Sequence, residues 1–325
     1  MSQFGFASTA DEVLEGKDLT DRTMLVTGGY SGLGQETARA LAAKGAHVIV
    51  SGRDATKLAA AADEIATLTG ARVDTLVFDL ASLASIRAAG EEARERFSHI
   101  DVLINNAGVM AAPLGRTADG FETQFGTNHL GHFALTHELM PLIERGARPR
   151  IVNLSSRGHH IAPVDFDDPN FERRAYDPWL SYGQSKTANI LFTVGVEERF
   201  GPHGIHAWAL HPGAIHTNLA RHMTEADMTQ LRERIRRAAE KTGEEPLPFK
   251  TIPQGAATSC WAATAEELEG RGGLYAEDCY IAATDDASVT GGVRSYALDK
   301  GNADRLWALS EELTGRKFEA TNRQS

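Results

Sequence analysis

Cysteine is nearly absent from this 325-residue chain; Cys260 and Cys279 are the only two. Two thiols cannot build a disulfide framework, and they stand too isolated to form a zinc site. Basic charge is also short, with 33 Lys and Arg against 44 Asp and Glu, a formal net charge of −11. A general nucleic-acid binder or a binder of anionic membrane needs a basic face, so composition argues against both. No run of about 18 apolar residues occurs, so no membrane-spanning helix is expected. Met1 to Asp21 has neither a basic leader nor an apolar core segment and does not read as a signal peptide. Unpaired thiols without an export signal point to a reducing, cytoplasmic setting.

What the chain does contain is an alternation. Apolar residues make up 42% and charged residues 24%, the balance of a globular protein with a sizeable core. Short β-rich runs recur at Met24–Thr27, His47–Ser51, Arg72–Phe78, Val102–Asn105, Arg150–Leu154 and His206–Ala209. Most lack polar alternation, the mark of parallel strands covered on both faces. Helical patterns separate them. Leu33, Thr37, Ala40 and Leu41 form one stripe, Asp54 is placed to cap a helix running to Gly70, and Ser82 to cap one reaching Phe97. This predicts an α/β fold, a doubly wound parallel sheet, as one domain over residues 22–325 behind an acidic arm of residues 1–21. Two segments break the rhythm. Arg157–Leu180, with Pro163, Pro169 and Pro178, reads as a long loop, and Ala220–Lys250 as a charged surface helix with a proline-containing tail. Both follow strand ends, where open α/β sheets bind ligands.

After the first strand, Thr27-Gly28-Gly29-Tyr30-Ser31-Gly32-Leu33-Gly34 leads straight into a helix. Glycines at 28, 32 and 34 let the backbone turn sharply and approach a diphosphate, which the positive helix end then holds. The spacing is G-x-x-x-G-x-G, neither the G-x-G-x-x-G fingerprint nor an NTPase loop, since no Lys-Ser/Thr follows. At the end of the second strand, a reader of a ribose 2′-hydroxyl would need a carboxylate where Gly52 stands. Arg53 follows instead, a guanidinium suited to a 2′-phosphate, so NADP(H) is favoured over NAD(H). Tyr182 and Lys186, four residues apart on a helix, project from one face. A phenol is a poor base at neutral pH unless a cation stabilises its phenolate, and Lys186 is placed to do so. Ser155 and Ser156 end the fifth strand and point to opposite faces, leaving open which of them faces the site.

Taken together, Thr27-Gly28-x-x-x-Gly32-x-Gly34, Asn105-Asn106-Ala107-Gly108, Ser155-Ser156, Tyr182-Gly183-Gln184-Ser185-Lys186 and Pro212-Gly213 occur in an order that resembles the short-chain dehydrogenases/reductases, over about residues 20 to 315. Thr117-Ala118-Asp119-Gly120-Phe121-Glu122, Thr127-Asn128-His129-Leu130-Gly131-His132-Phe133, the long gap before Tyr182 and Asp304-Arg305-Leu306-Trp307 resemble the retinol-dehydrogenase-like branch, which includes WW-domain oxidoreductases. The resemblance implies a Rossmann fold and a carbonyl/alcohol oxidoreductase with Asn128, Ser156, Tyr182 and Lys186 as catalytic residues. It makes Ser156 the catalytic serine, and Asn128 the residue that fixes a helix distortion and a proton relay from Lys186. It assigns the cofactor to Gly28, Ser31, Gly32, Leu33, Gly34 and Arg53, with Asp79 and Leu80 at adenine. Asn106, Ala107 and Gly108 would line a ribose, beside Tyr182 and Lys186, and Pro212, Gly213 and Thr217 would meet the nicotinamide. It further implies a small apolar carbonyl or alcohol substrate and a homodimer or homotetramer. His129, His132, His159, His160, His211 and His216 lack metal spacing, so no metal site is expected. Two alternatives stay open: a catalytically idle NADP(H)-binding regulator, and a C=C reductase on the same fold.

Overall fold

The computed structural model describes residues 3–215 and 248–319, and positions 229, 233, 236, 237, 240, 243 and 244 between them. Among the described residues eight strands form one sheet: β1 (Thr23–Thr27), β2 (His47–Gly52), β3 (Val73–Val77), β4 (Val102–Asn105), β5 (Arg150–Leu154), β6 (His206–His211), β7 (Leu274–Glu277) and β8 (Tyr280–Ile281). Their order is β3-β2-β1-β4-β5-β6-β7-β8. All neighbouring pairs are parallel except β7 with β8. The chain starts in the middle, winds outward to β3, then returns past β1 to β4. That reversal opens a crevice at the carboxyl ends of β1 and β4.

All six expected strands form. β6 runs two residues further, to His211, and β3 is one residue shorter at each end. β7 and β8 were not anticipated, because four- and two-residue segments are too short to display a period.

The helices are α1 (Ala10–Val13), α2 (Gly32–Ala42), α3 (Ala55–Thr69), α4 (Leu83–Arg96), α5 (Thr123–Phe125), α6 (Gly131–Ile143), α7 (Pro178–Phe200), α8 (Ile252–Thr264), α9 (Ser295–Leu298) and α10 (Lys300–Thr314). Alternation along the strands sends Met24, Val26, Val48 and Val50 to a core shared with α1, α2, α3 and α8. Leu25, Ile49, Leu103 and Ile151 go to the opposite core, shared with α4, α6 and α7. Both faces are covered, which is why the strands read as continuous apolar runs. Asp54 and Ser82 cap α3 and α4 as their positions predict.

The amino-terminal arm is packed into the body. Ala10, Val13 and Leu14 join the core with α8, and Lys17 Nζ donates to the Thr264 carbonyl at 3.3 Å. The stretch expected to be a long loop begins with a 3₁₀ turn, Arg157–His160, and yields to α7 at Pro178. Thr217 and most of the 220–250 lid lie outside the described residues. Among the described residues no helix is long and apolar enough to cross a membrane.

Candidate active site

At the end of β1 the chain turns into α2 through Gly28, with φ +66, and Gly32, with φ +55. Both are left-handed conformations that a side chain disfavours. Gly34 is required by space, since a Cβ there would stand 2.4 Å from the Gly28 carbonyl oxygen and 2.5 Å from Asn106 Nδ2. Ser31, the N-cap of α2, makes no side-chain capping bond. Backbone N–H groups of the first turn therefore remain available at the positive end of the helix. This cradle fits a diphosphate.

Beside it opens a cleft of about 560 Å³ lined by Arg53, Asp54, Ala55, Val77, Phe78, Asp79 and Ser85. Asp54 is committed elsewhere, accepting from Lys57 N at 3.1 Å and pairing with Lys57 Nζ at 3.2 Å. Arg53 is exposed on the cleft wall. A Cβ on Gly52 would meet the Tyr30 ring at 2.5 Å, so an aromatic ring roofs the position where a ribose-binding carboxylate would stand. Asp79 lines this cleft but Leu80 does not. Its side chain is buried in the core beside α4 and α6, and its backbone packs against Gly131, where a Cβ would lie 2.5 Å from the Leu80 carbonyl oxygen. Asn106 N and Ala107 N both donate to Thr27 Oγ1 at 2.9 Å, which ties that segment to the glycine loop.

The second cluster is deeply buried. Asp177 caps α7, and Tyr182 and Lys186 follow one turn apart, 3% and 4% exposed. Lys186 Nζ lies 5.7 Å from the Tyr182 ring centroid and donates to the Leu154 carbonyl at 3.0 Å. Burial pushes the Tyr182 hydroxyl up to about 12, against a hydrogen bond with Ser156 that pulls it down. Burial likewise pushes Lys186 down to about 8. Both shifts come from removing the two groups from water, which disfavours the charged form of each.

The two serines separate cleanly. Ser155 Oγ donates to the Lys186 carbonyl at 2.8 Å and is occupied in holding α7. Ser156 Oγ accepts from Gly158 N at 3.0 Å and stands beside the Tyr182 hydroxyl. A Cβ on Gly158 would fall 2.7 Å from the Tyr182 ring, so only a glycine lets the chain pass between them.

Asn128 occupies a π-helical turn, Gly126–Leu130, between α5 and α6. Its amide is fully satisfied: Oδ1 accepts from Val109 N at 2.8 Å, and Nδ2 donates to the Val109 carbonyl and to Ser185 Oγ, each at 2.9 Å. A Cβ on Gly108 would lie 3.1 Å from Asn128 Oδ1 and 3.6 Å from Lys186 Nζ. Asn128, Gly108 and Lys186 thus meet at one seam. On the far side Gly213, with φ +100, packs against Lys250, whose N donates to the Ala214 carbonyl at 2.8 Å and whose ammonium pairs with Asp278.

Sequence reasoning missed Tyr30, Thr27, His132 and Gly158. Tyr30 and Thr27 stand within the glycine motif and His132 within the Asn128 motif, but only their distant contacts give them a task.

The short chain dehydrogenase family matches residues 22–228. A Streptomyces lividans protein named "Probable oxidoreductase" is 45% identical over 295 residues, 89% of this chain and 96% of its own length. Human retinol dehydrogenase 12 is 39% identical over 303 residues, 93% of this chain and 89% of its own. An uncharacterized protein from Mycobacterium paratuberculosis superposes with a TM-score of 0.71 at 36% identity, covering 96% of this chain and 99% of that one. A Beutenbergia cavernae structure carrying NADP at low occupancy gives 0.60 at 26% identity, over 79% and 95%. The chain is an oxidoreductase of the short-chain dehydrogenase/reductase family, on its retinol-dehydrogenase-like branch.

Proposed function

We propose that the protein interconverts a small apolar aldehyde or ketone and its alcohol with NADP(H), Tyr182 acting as the general acid and base. The observation that carries this reading is the buried Tyr182 hydroxyl beside Ser156, with Lys186 one turn away on the same helix. A bound nicotinamide dinucleotide supplies the hydride. With its ordinary ionisation raised to about 12, Tyr182 is protonated at neutral pH, the form that donates to a carbonyl oxygen. Ser156 Oγ and Tyr182 together hydrogen-bond that oxygen as charge develops on it. Lys186, protonated below about pH 8, supplies the charge that steadies the phenolate once the proton has left. Asn128 holds the π turn through which a proton returns to Lys186.

The glycine cradle and the uncapped start of α2 would hold the diphosphate. Arg53, which lines the cleft with Asp79, would hold a 2′-phosphate, and the Tyr30 ring packs where a competing carboxylate at Gly52 would stand. The NADP carried by the Beutenbergia relative supports a nicotinamide dinucleotide as the cofactor. This reading treats residues 22–325 as one catalytic unit, with 157–180 and 220–250 walling the substrate side. The test is NADPH oxidation across apolar aldehydes, ketones and quinones, repeated with NADH and with Tyr182→Phe. Turnover lost in the variant with NADPH binding retained supports the proposal; full activity in Tyr182→Phe overturns it.

A further inference from the structure

His132 is buried, 2% exposed, between the two clusters, and both of its ring nitrogens are engaged. Nδ1 lies 2.9 Å from the Asn128 carbonyl oxygen, an acceptor only, so Nδ1 carries the proton. Nε2 is then an acceptor, and the Thr27 hydroxyl, 2.9 Å away, donates to it. The same hydroxyl oxygen accepts from Asn106 N and Ala107 N. At the other end of that segment, Val109 is held through both its N–H and its carbonyl by the Asn128 amide. The contacts close into a ring: Thr27, His132, Asn128, Val109, and back along the chain through Gly108 to Ala107 and Asn106. Gly108, a member of this ring, stands at the seam with Lys186. From Asn128 the connection continues to Ser185 Oγ, which donates to the Tyr182 carbonyl at 2.8 Å.

We propose that His132 is a positioning residue that locks residues 106–109 in register between the glycine loop and Asn128, so that seating the cofactor and aligning the Tyr182–Lys186 turn are one event. The inference rests on the nicotinamide site proposed above. Its partner in the motif, His129, provides the contrast. It is equally buried, but its Nε2 bonds Ser310 Oγ at 2.7 Å on α10, away from the ring.

The test replaces the imidazole with rings and amides of matched size. His132→Phe keeps the volume and removes both bonds; His132→Gln keeps one donor and one acceptor about as far apart. NADPH binding is read by fluorescence titration, without turnover, and amide exchange is followed at residues 106–109. We expect His132→Phe to weaken NADPH binding about tenfold and to speed exchange at Ala107 and Val109, with His132→Gln recovering most of both. His129→Phe, matched for thermal stability, should change neither. Thr27→Val removes the same bond from its other end, and combining it with His132→Phe should cost no more than the worse single variant. Thr27→Val also carries the test if His132→Phe does not fold. Wild-type binding and exchange in His132→Phe, equal behaviour of the Phe and Gln variants, or additive losses would overturn the proposal. Absence of NADPH binding in the wild type would instead sink the functional reading beneath it.

Discussion

The two ends of the crevice handle charge by opposite physics. At the end proposed for adenosine Arg53 stands exposed on an open cleft, beside Asp54, whose carboxylate is occupied by Lys57 and the start of α3. At the end proposed to carry the reaction Tyr182 and Lys186 are almost fully buried, and Lys186 Nζ, Ser155 Oγ and Asn128 Nδ2 each donate to a neighbouring group. Water screens the first and is expelled from the second. A charge at the open end is therefore a matter of affinity and selectivity, while at the buried end the cost of ionisation is itself the tuned quantity.

Tyr182→Phe tests the buried end most severely. Loss of a general acid should lower turnover about 10²–10⁴-fold while NADPH affinity stays near wild type. A smaller loss would mean that a second proton donor serves the site.

Lys186→Met should also abolish most turnover, yet it should raise the melting temperature at pH 7. The sign follows from the lowered ionisation of Lys186. Between about pH 8 and the ordinary lysine value the unfolded chain binds the extra proton, so the native state gains stability as pH rises through that window. Below it the native protein bears a buried charge, and the variant does not. Melting curves of both proteins should converge as the pH approaches 10; a constant offset would contradict the assignment. Carbonyl reduction by the wild type should correspondingly decline above about pH 8, as Lys186 loses its proton.

At the open end effects should be gentler. Arg53→Ala should weaken NADPH about 10-fold, leave NADH unchanged, and lose most of its effect in 0.5 M salt, as expected for an exposed ion pair. An equal loss for both cofactors would erase the distinction between the ends. Smallest of all, Gly52→Ala should reduce NADPH affinity slightly by pressing on the Tyr30 ring, and Tyr30→Ala in the same background should relieve it. No recovery would mean that the ring does not define the cleft wall.

Much of this was legible in the linear sequence. The alternation of apolar runs and helical stripes set six strands and their parallel sense. Local chemistry set the caps at Asp54 and Ser82, the glycine loop, and the shared face of Tyr182 and Lys186. Each of these depends on backbone geometry over a few residues, which composition and spacing encode directly. Other features needed the assembled fold. The task of each serine rests on whether its hydroxyl meets the Lys186 carbonyl or the Tyr182 phenol, and period-2 alternation cannot name the neighbour. Leu80 turns its side chain into the core beside α4 and α6 with its carbonyl against Gly131, a placement no spacing reveals. The direction of the Tyr182 shift depends on how completely the side chain leaves water, and His132 has its role only because Thr27 lies 105 residues away in sequence and 2.9 Å away in space. Desolvation and contact between distant segments are properties of the folded chain alone, because neither exists until the strands and helices are packed.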